Sequence, residues 1–241
     1  MFYDSETSEF YLYDDIGEGA AQTLHDSVKQ SAGDVFTVRI NSYGGSVDEA
    51  LAMVEILKRH ELSGNKVLVT VDAIAASAAS LFPAEFTSSA AEHSRVMIHN
   101  PWGVAMGDAQ TLRQTADVLD RYRESIVSIY SRAMDIERDA VNSLLDAETW
   151  YSAAGAQSVG LVGEVTRNGE GPGVDAALVD ARRFKNTPAD LIDGCQVGAQ
   201  YAENAAGTIE AGCVSDTPAL ASARNNRVLS LLKLRAAGYE N

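Results

Sequence analysis

The stretch KVLVTVDAIAASAAS, residues 66–80, decides the fold, because an apolar run gives way there to a run of alanine and serine. The valines and leucine within residues 67–71 form an apolar run that is typical of a buried β-strand. The small residues after this strand bring the backbone and the Ser77 hydroxyl close to whatever lies above the end of the strand. A chain presents a serine nucleophile in this way, although alanine and serine also let a helix pack tightly against a sheet.

Two further strand patterns end in residues that a catalytic site needs. Residues 35–40, VFTVRI, predict a strand that runs into Gly44 and Gly45 and then into a helical pattern. Paired glycines at such a turn let backbone N–H groups point into a site, which suits an oxyanion or a phosphate, although an ordinary turn has the same pattern. Residues 95–98, RVMI, predict a short strand that ends in His99 and is stopped by Asn-Pro.

Comparison of the four histidines also favours His99. His25 lies in a polar helical pattern, His60 ends a helix beside two basic residues, and His93 lies among polar loop residues. Only His99 ends an apolar strand, and catalytic groups gather at the ends of strands in α/β sheets. His99 is therefore the candidate general base.

These motifs occur in an order that resembles a known family. They are NSYGGS, AASAAS, MIHNPWG and ETWYSA, at residues 41–46, 75–80, 97–103 and 148–153. Over about residues 9–166 they resemble the proteolytic subunits of the Clp protease family, and more narrowly its tailed-bacteriophage branch, the head maturation or prohead proteases. The resemblance implies an α/β fold of the ClpP/crotonase type, with repeated ββα units and a long handle helix.

The resemblance also implies which residues act. It assigns the nucleophile to Ser77 and the general base to His99, and it assigns the oxyanion-hole amides to Gly45 and Ala78. These roles are those of a serine endopeptidase, which attacks a peptide carbonyl with a hydroxyl and stabilises the resulting oxyanion with backbone N–H groups.

The same resemblance assigns the third triad member to Glu148, at a position where the cellular enzymes usually carry an aspartate. Asp146 is close by, so both carboxylates remain candidates for holding the imidazole tautomer and stabilising the imidazolium.

A serine–lysine dyad is the competing mechanism, and Lys66 is the lysine nearest to Ser77 in sequence. Lys66 begins the strand whose far end leads to Ser77, so at ~3.3 Å per residue it lies roughly 20 Å or more away, and the dyad is disfavoured.

The chain is predicted to have three regions. Strand and helix patterns alternate through much of residues 1–166, which we predict to be the protease domain, with a largely parallel sheet. Residues 167–220 are rich in glycine, alanine and aspartate and predict a flexible linker. Residues 221–241 predict a basic amphipathic helix, which suits either partner binding or capping of the domain.

A long amphipathic helix is predicted over residues 108–134, and its apolar stripe is wider than a lone surface helix needs. In the family that the sequence resembles, this handle helix contributes to contacts between subunits. The resemblance therefore implies a ring-like homo-oligomer, although burial of the helix against its own domain is the alternative.

The composition of the chain limits the classes of partner and cofactor that it can bind. The net charge is −15, which argues against nucleic-acid binding, because phosphate contacts require a basic surface. No apolar run approaches the roughly 18 residues of a membrane span. With two cysteines and no metal-binding motif, the sequence predicts no metal and no cofactor. The lack of an apolar run of membrane-span length predicts a cytoplasmic protein, and the resemblance to prohead proteases implies the bacterial host cytoplasm and the procapsid.

The predicted function is cleavage of capsid or scaffold proteins during maturation of a phage head, by a serine–histidine–acid triad. Two other classes stay open. A catalytically silent scaffold module of the procapsid would need none of this chemistry. A crotonase-like enzyme that acts on acyl-CoA would share the oxyanion cradle and the fold, but it would not need Ser77 with His99.

Overall fold

The computed structural model describes residues 1–167 and 184–188 of the 241-residue chain. The elements are, in order, β1 (Phe2–Asp4), β2 (Glu9–Leu12), α1 (Ala20–Gln30), β3 (Val35–Ser42), α2 (Val47–Leu62), β4 (Lys66–Ala76), a short 3-10 helix (Ser77–Ser80), α3 (Leu81–Glu85), β5 (Thr87–Ala91), β6 (Arg95–Ile98), α4 (Ala109–Met134), α5 (Arg138–Asp146), β7 (Thr149–Ser152), α6 (Ala153–Val159) and β8 (Glu164–Thr166). The predicted α/β class is confirmed.

One mixed sheet runs through the described residues, with neighbours in the order β1-β2-β3-β4-β5-β8. Strands β2 to β5 and β8 pair in parallel with their neighbours, and only β1 joins this row antiparallel. Strand β6 pairs in parallel with β4 and antiparallel with β7. The largely parallel sheet predicted from the alternation of strands and helices is therefore present.

Strand β4 divides its pairing between two partners, and this division creates the site. Its first part pairs with β5, from Leu68 opposite Thr87 onward. Its last part pairs with β6, where Ala76 lies opposite Met97. Because β4 and β6 are parallel, the residues that follow them leave the sheet at the same edge.

The core lies around β3 and β4, whose alternate side chains are buried. Val38 and Ile40 of β3 and Val69 and Val71 of β4 are at most 1% exposed. Burial of each such side chain contributes about 1.5–3 kcal/mol. Helix α2 adds Met53, Leu57 and other apolar residues to the same cluster. The register of β3 against β4 shifts after Ile40, where the chain turns toward the glycine pair.

The predicted long helix is confirmed as α4, but its two halves differ. Residues near its C-terminal end, including Ile126 and Tyr130, are buried against the domain. Toward its N-terminal end Leu112 and Val118 are 48% and 40% exposed, and the preceding loop exposes Trp102, Val104 and Met106. Among the described residues, the apolar stripe predicted from the sequence is therefore only half covered.

Some predictions concern segments that lie outside the described residues. The basic helix predicted over residues 221–241 lies outside the described residues, as does most of the predicted linker. Among the helices that the structure describes, none has the length and apolar character needed to cross a membrane. The same residues contain no group of three histidine, cysteine, aspartate or glutamate side chains that would hold a metal ion.

Candidate active site

Ser77 lies in a sharp turn directly after β4. Its backbone φ is 54°, in the left-handed region that residues other than glycine adopt uncommonly. Such a conformation costs of order 1–3 kcal/mol and persists only where the surrounding structure fixes it. The chain then continues as the short 3-10 helix into α3. Ser77 thus lies on a strained turn at the edge of the sheet.

His99 follows β6 and lies beside Ser77. The Ser77 Oγ and the His99 Nε2 are 2.8 Å apart, and both residues are half-buried. This is the distance at which an imidazole can take the proton of a hydroxyl. Lys66 begins β4 at its opposite end and is exposed, so the structure does not bring it to Ser77.

The glycine pair packs against the turn that holds Ser77. A Cβ on Gly44 would lie 2.6 Å from the carbonyl oxygen of Ala76 and 2.8 Å from the amide nitrogen of Ala78. A Cβ on Gly45 would lie 2.3 Å from the carbonyl oxygen of Ile16. Both glycines also have positive φ, of 90° and 145°. Only glycine fits at these two positions without displacing backbone.

The Gly45 amide is oriented by a bridge to Ile16. The Ile16 N–H donates to the Gly44 carbonyl at 2.7 Å, and the Ser46 N–H donates to the Ile16 carbonyl at 2.8 Å. In this parallel bridge the bonds use the groups on either side of Gly45, so its own N–H faces away from Ile16. The close approach of Gly44 to the Ala78 amide nitrogen places Gly45 and Ala78 on adjoining segments, and their role as oxyanion-hole amides stays a prediction.

Glu148 is buried, with 8% of its surface exposed, and its φ of 49° is also left-handed. Its carboxylate accepts hydrogen bonds from the backbone amides of Lys185 at 2.9 Å and Asn186 at 2.6 Å. A longer bond of 3.4 Å comes from the indole N–H of Trp150. His99 is not among the hydrogen-bond partners of Glu148 within the described residues.

Asp146, the alternative carboxylate, lies in a different network. It accepts a hydrogen bond from the Asn100 side chain at 2.8 Å and forms an ion pair with Arg123 at 2.9 Å. Its side chain is 48% exposed. Neither carboxylate contacts His99 through a hydrogen bond in the described part of the chain, so the assignment of the third triad member stays a prediction.

Residues 184–188 bring an aromatic side chain into the site. The Phe184 ring is 7% exposed and meets the His99 imidazole edge to face, with ring centres 5.5 Å apart. It also contacts Trp150 at 5.8 Å and stacks on Tyr43 at 6.1 Å. This segment falls inside the predicted flexible linker, and sequence reasoning missed it. A single phenylalanine between basic residues was the available signal.

The underside of the Ser77 turn is polar and buried. The Ser80 hydroxyl donates to the Ser77 carbonyl at 2.6 Å and lies 2.7 Å from the Tyr130 hydroxyl. Because Ser80 has one hydrogen and gives it to Ser77, the Tyr130 hydroxyl is the donor to Ser80. Burial raises the pKa of Tyr130, which keeps that hydroxyl protonated. Ser80 therefore supports the turn that holds Ser77, which is a structural role.

The fold and the paired Ser77 and His99 side chains define an α/β protein with a serine–histidine site at the edge of its sheet. Its sequence matches the family described as Clp protease over residues 13–169, which is more than half of the chain. The chain therefore belongs to the Clp protease family. The predicted ClpP-type fold and the predicted family are confirmed; the tailed-phage branch stays a prediction.

Individual relatives give the same family. The chain is 33% identical over 125 residues to the ATP-dependent Clp protease proteolytic subunit 1 of Chlamydia abortus, covering 51% of this chain and 65% of that protein. It is 32% identical over 149 residues to the proteolytic subunit of Bacteroides thetaiotaomicron, covering 60% and 66%. The corresponding subunit of Bacteroides fragilis is also 32% identical over 149 residues, covering 60% and 70%. The chain thus spans about two thirds of the length of these relatives.

Proposed function

We propose that this protein is a serine endopeptidase with Ser77 as nucleophile and His99 as general base. The observation that carries the proposal is the 2.8 Å separation between the Ser77 Oγ and the His99 Nε2, on a strained turn beside a glycine pair. Membership of the Clp protease family supports hydrolysis of polypeptides as the reaction. Residues 1–166, with the added segment 184–188, form the proposed catalytic unit.

The proposed reaction is acyl transfer to serine. His99 takes the Ser77 proton while the Oγ attacks the peptide carbonyl, and the N–H groups of Gly45 and Ala78 stabilise the oxyanion. His99 then gives its proton to the leaving amine, and the peptide bond breaks. A water molecule, deprotonated by His99, attacks the acyl-enzyme and releases the second product with Ser77 restored. No cofactor is needed for these steps.

We propose capsid or scaffold proteins of a tailed phage as the substrates, and the host cytoplasm and procapsid as the place of action. The four ordered motifs support this finer proposal through their resemblance to prohead proteases. The net charge of −15 supports a polypeptide rather than a nucleic acid as the partner.

A ring-like homo-oligomer is part of the same proposal. Apolar side chains of residues 102–106 and of the N-terminal half of α4 are exposed in the isolated chain, including Trp102 at 63%, Val104 at 88% and Met106 at 92%. An exposed apolar group of this kind marks a contact surface. A second copy of the chain would cover it, as the handle helix of the family suggests.

The test is covalent labelling with a fluorophosphonate, followed by mass spectrometry of the digested protein. Wild type should be labelled at Ser77, whereas His99→Ala should lose labelling by several orders of magnitude. His93→Ala is the matched control, because His93 is exposed in a loop, and it should label as wild type does. Absence of labelling in the wild-type oligomer would overturn the proposal and favour a silent scaffold module.

A further inference from the structure

Two features near His99 have no role in the proposed mechanism. One is the pair of hydrogen bonds that the Glu148 carboxylate accepts from backbone amides, and the other is the ring of Phe184. We infer that Glu148 is a positioning residue that clamps the segment 184–188, and that this segment holds Phe184 as a fixed wall against the His99 imidazole. The inference rests on the proposed function, and it gives Glu148 an action on His99 through Phe184.

The clamp consists of consecutive backbone amides on one carboxylate. The Lys185 N–H donates to one oxygen of Glu148 and the Asn186 N–H donates to the other. Hydrogen bonds to an ionised acceptor are roughly twice as strong as bonds between neutral groups. The Asn186 side chain adds a bond of 2.9 Å to the Ala147 carbonyl, directly before Glu148 in sequence. The segment is thus held to one turn of the protease domain by three hydrogen bonds.

Phe184, the proposed wall, packs among aliphatic and aromatic side chains. Phe184 belongs to a small apolar cluster with Ile74, Ala76, Met97 and Trp150, and Tyr43 packs on the same cluster. Ala76 directly precedes Ser77, and Met97 lies two residues before His99. Phe184 therefore packs against His99 and with residues that adjoin both proposed catalytic residues in sequence. Its contact limits rotation of the imidazole and excludes water from one side of it.

The docked segment is compatible with a working site. The Ser77 Oγ and His99 Nε2 keep their 2.8 Å separation while Phe184 contacts His99. A segment that displaced the imidazole would instead separate these two atoms. The geometry therefore favours a supporting wall over a blocking plug, and the two predict opposite effects when the ring is removed.

Hydrogen exchange tests the clamp without any need for activity. The amides of Lys185 and Asn186 should exchange at least about 10-fold faster in Glu148→Ala than in wild type, because their acceptor is gone. Asp146→Ala is the matched control, since its carboxylate bonds to Asn100 and Arg123 instead, and should leave these two amides protected. If Glu148→Ala also exposes the amides of β4, Glu148→Gln replaces it. Unchanged exchange in the folded variant overturns the clamp.

Fluorophosphonate labelling at Ser77 tests the wall. Phe184→Ala should slow labelling about 10- to 100-fold through the maximal rate rather than through reagent affinity, and Phe184→Leu should restore part of the rate. Lys185→Ala should label as wild type does, because Lys185 contributes its backbone amide and its side chain is exposed. Faster labelling in Phe184→Ala would show a plug and overturn the inference.

A double variant tests whether the two residues act together. If Glu148 acts on His99 through Phe184, adding Glu148→Ala to Phe184→Ala should slow labelling by less than 3-fold more. Fully multiplied effects would mean that Glu148 acts separately and would overturn the inference. If wild type is not labelled at all, the proposed function fails, whereas the exchange measurement still decides the clamp.

Discussion

The Tyr130 hydroxyl, on the buried part of helix α4, lies 2.7 Å from the Ser80 Oγ, and Ser80 in turn donates to the Ser77 carbonyl at 2.6 Å. Two hydroxyl groups therefore join the long helix to the turn that carries the proposed nucleophile. The helix that exposes an apolar surface at one end supports the site at the other. A change in the position of α4 would reach Ser77 through these two bonds.

Removal of this link should affect both stability and the site. Tyr130→Phe deletes the hydroxyl that donates to Ser80 and leaves a buried oxygen without that donor, so the free energy of unfolding should fall by about 1–2 kcal/mol. Fluorophosphonate labelling at Ser77 should slow about 10-fold, because the turn is less well fixed. Urea unfolding and labelling kinetics measure the two effects.

Tyr151→Phe is the matched control for that variant. The Tyr151 hydroxyl is also buried, but it makes no hydrogen bond to another residue that the structure describes. The same deletion should therefore cost much less, and labelling should keep the wild-type rate. Equal losses in both variants would contradict the role given to the Tyr130 hydroxyl.

The glycine pair should not tolerate a methyl group. Gly44→Ala places a Cβ 2.6 Å from the Ala76 carbonyl oxygen at a φ of 90°, so the turn that holds Ser77 must move. We expect labelling to fall at least about 100-fold, with a loss of stability of about 1–3 kcal/mol. Gly17→Ala is the control, because a Cβ there meets nothing within 4 Å. A wild-type labelling rate in Gly44→Ala would contradict the described packing.

Alkaline pH should weaken the fold through its tyrosines. A hydrogen bond to Glu9 raises the pKa of Tyr11 to about 12, and burial raises the pKa of Tyr130 and of Tyr151. Above about pH 10 the unfolded chain releases these protons while the native chain retains them, so the free energy of unfolding falls as pH rises. This stabilisation is fully present below about pH 10.

Tyrosinate absorbance measured alongside urea unfolding between pH 8 and 11.5 checks this expectation. The affected tyrosines should ionise together with loss of structure. Ionisation of every tyrosine near pH 10 in a protein that stays folded would contradict the raised pKa values. Tyr130→Phe should show a shallower fall of stability with pH than wild type, because one contributing hydroxyl is gone.

Assembly should depend on the exposed apolar loop. Met106 is 92% exposed, and Met106→Glu should shift the protein toward smaller species in sedimentation velocity, since a charge would be buried in the proposed contact. Leu62 is 88% exposed at the end of α2, so Leu62→Glu is a control of equal exposure at another surface. If the two variants sediment alike, residues 102–106 do not form the contact.

Some elements could be predicted because their apolar residues recur with the period of a strand or a helix. Strand β4, strand β6 and helix α4 have apolar patterns of the strand or helix type, and Ser77 and His99 could be named because each follows such a strand. Their separation could not be predicted from those patterns, because it depends on β4 extending past β5 to pair with β6.

The contacts of Phe184 and Glu148 could not be predicted from the sequence. Glu148 and Lys185 are separated by 37 positions, and no periodicity links an acidic residue to a backbone amide at that distance. The composition of residues 167–220 is typical of a flexible linker, and one phenylalanine does not change that average. Packing of a single ring into a small apolar cluster overrides composition there.

Because β4 divides its pairing between β5 and β6, the proposed activity depends on the register between β4 and β6. Ile74 lies opposite Arg95 and Ala76 opposite Met97. A slip of one residue between these strands would carry His99 about 3.3 Å along the sheet and turn alternate side chains to the other face. Ser77 and His99 would then no longer meet. A chain with that slip would be inert even if most of its core were complete, so the proposed activity requires the native register of β4 and β6.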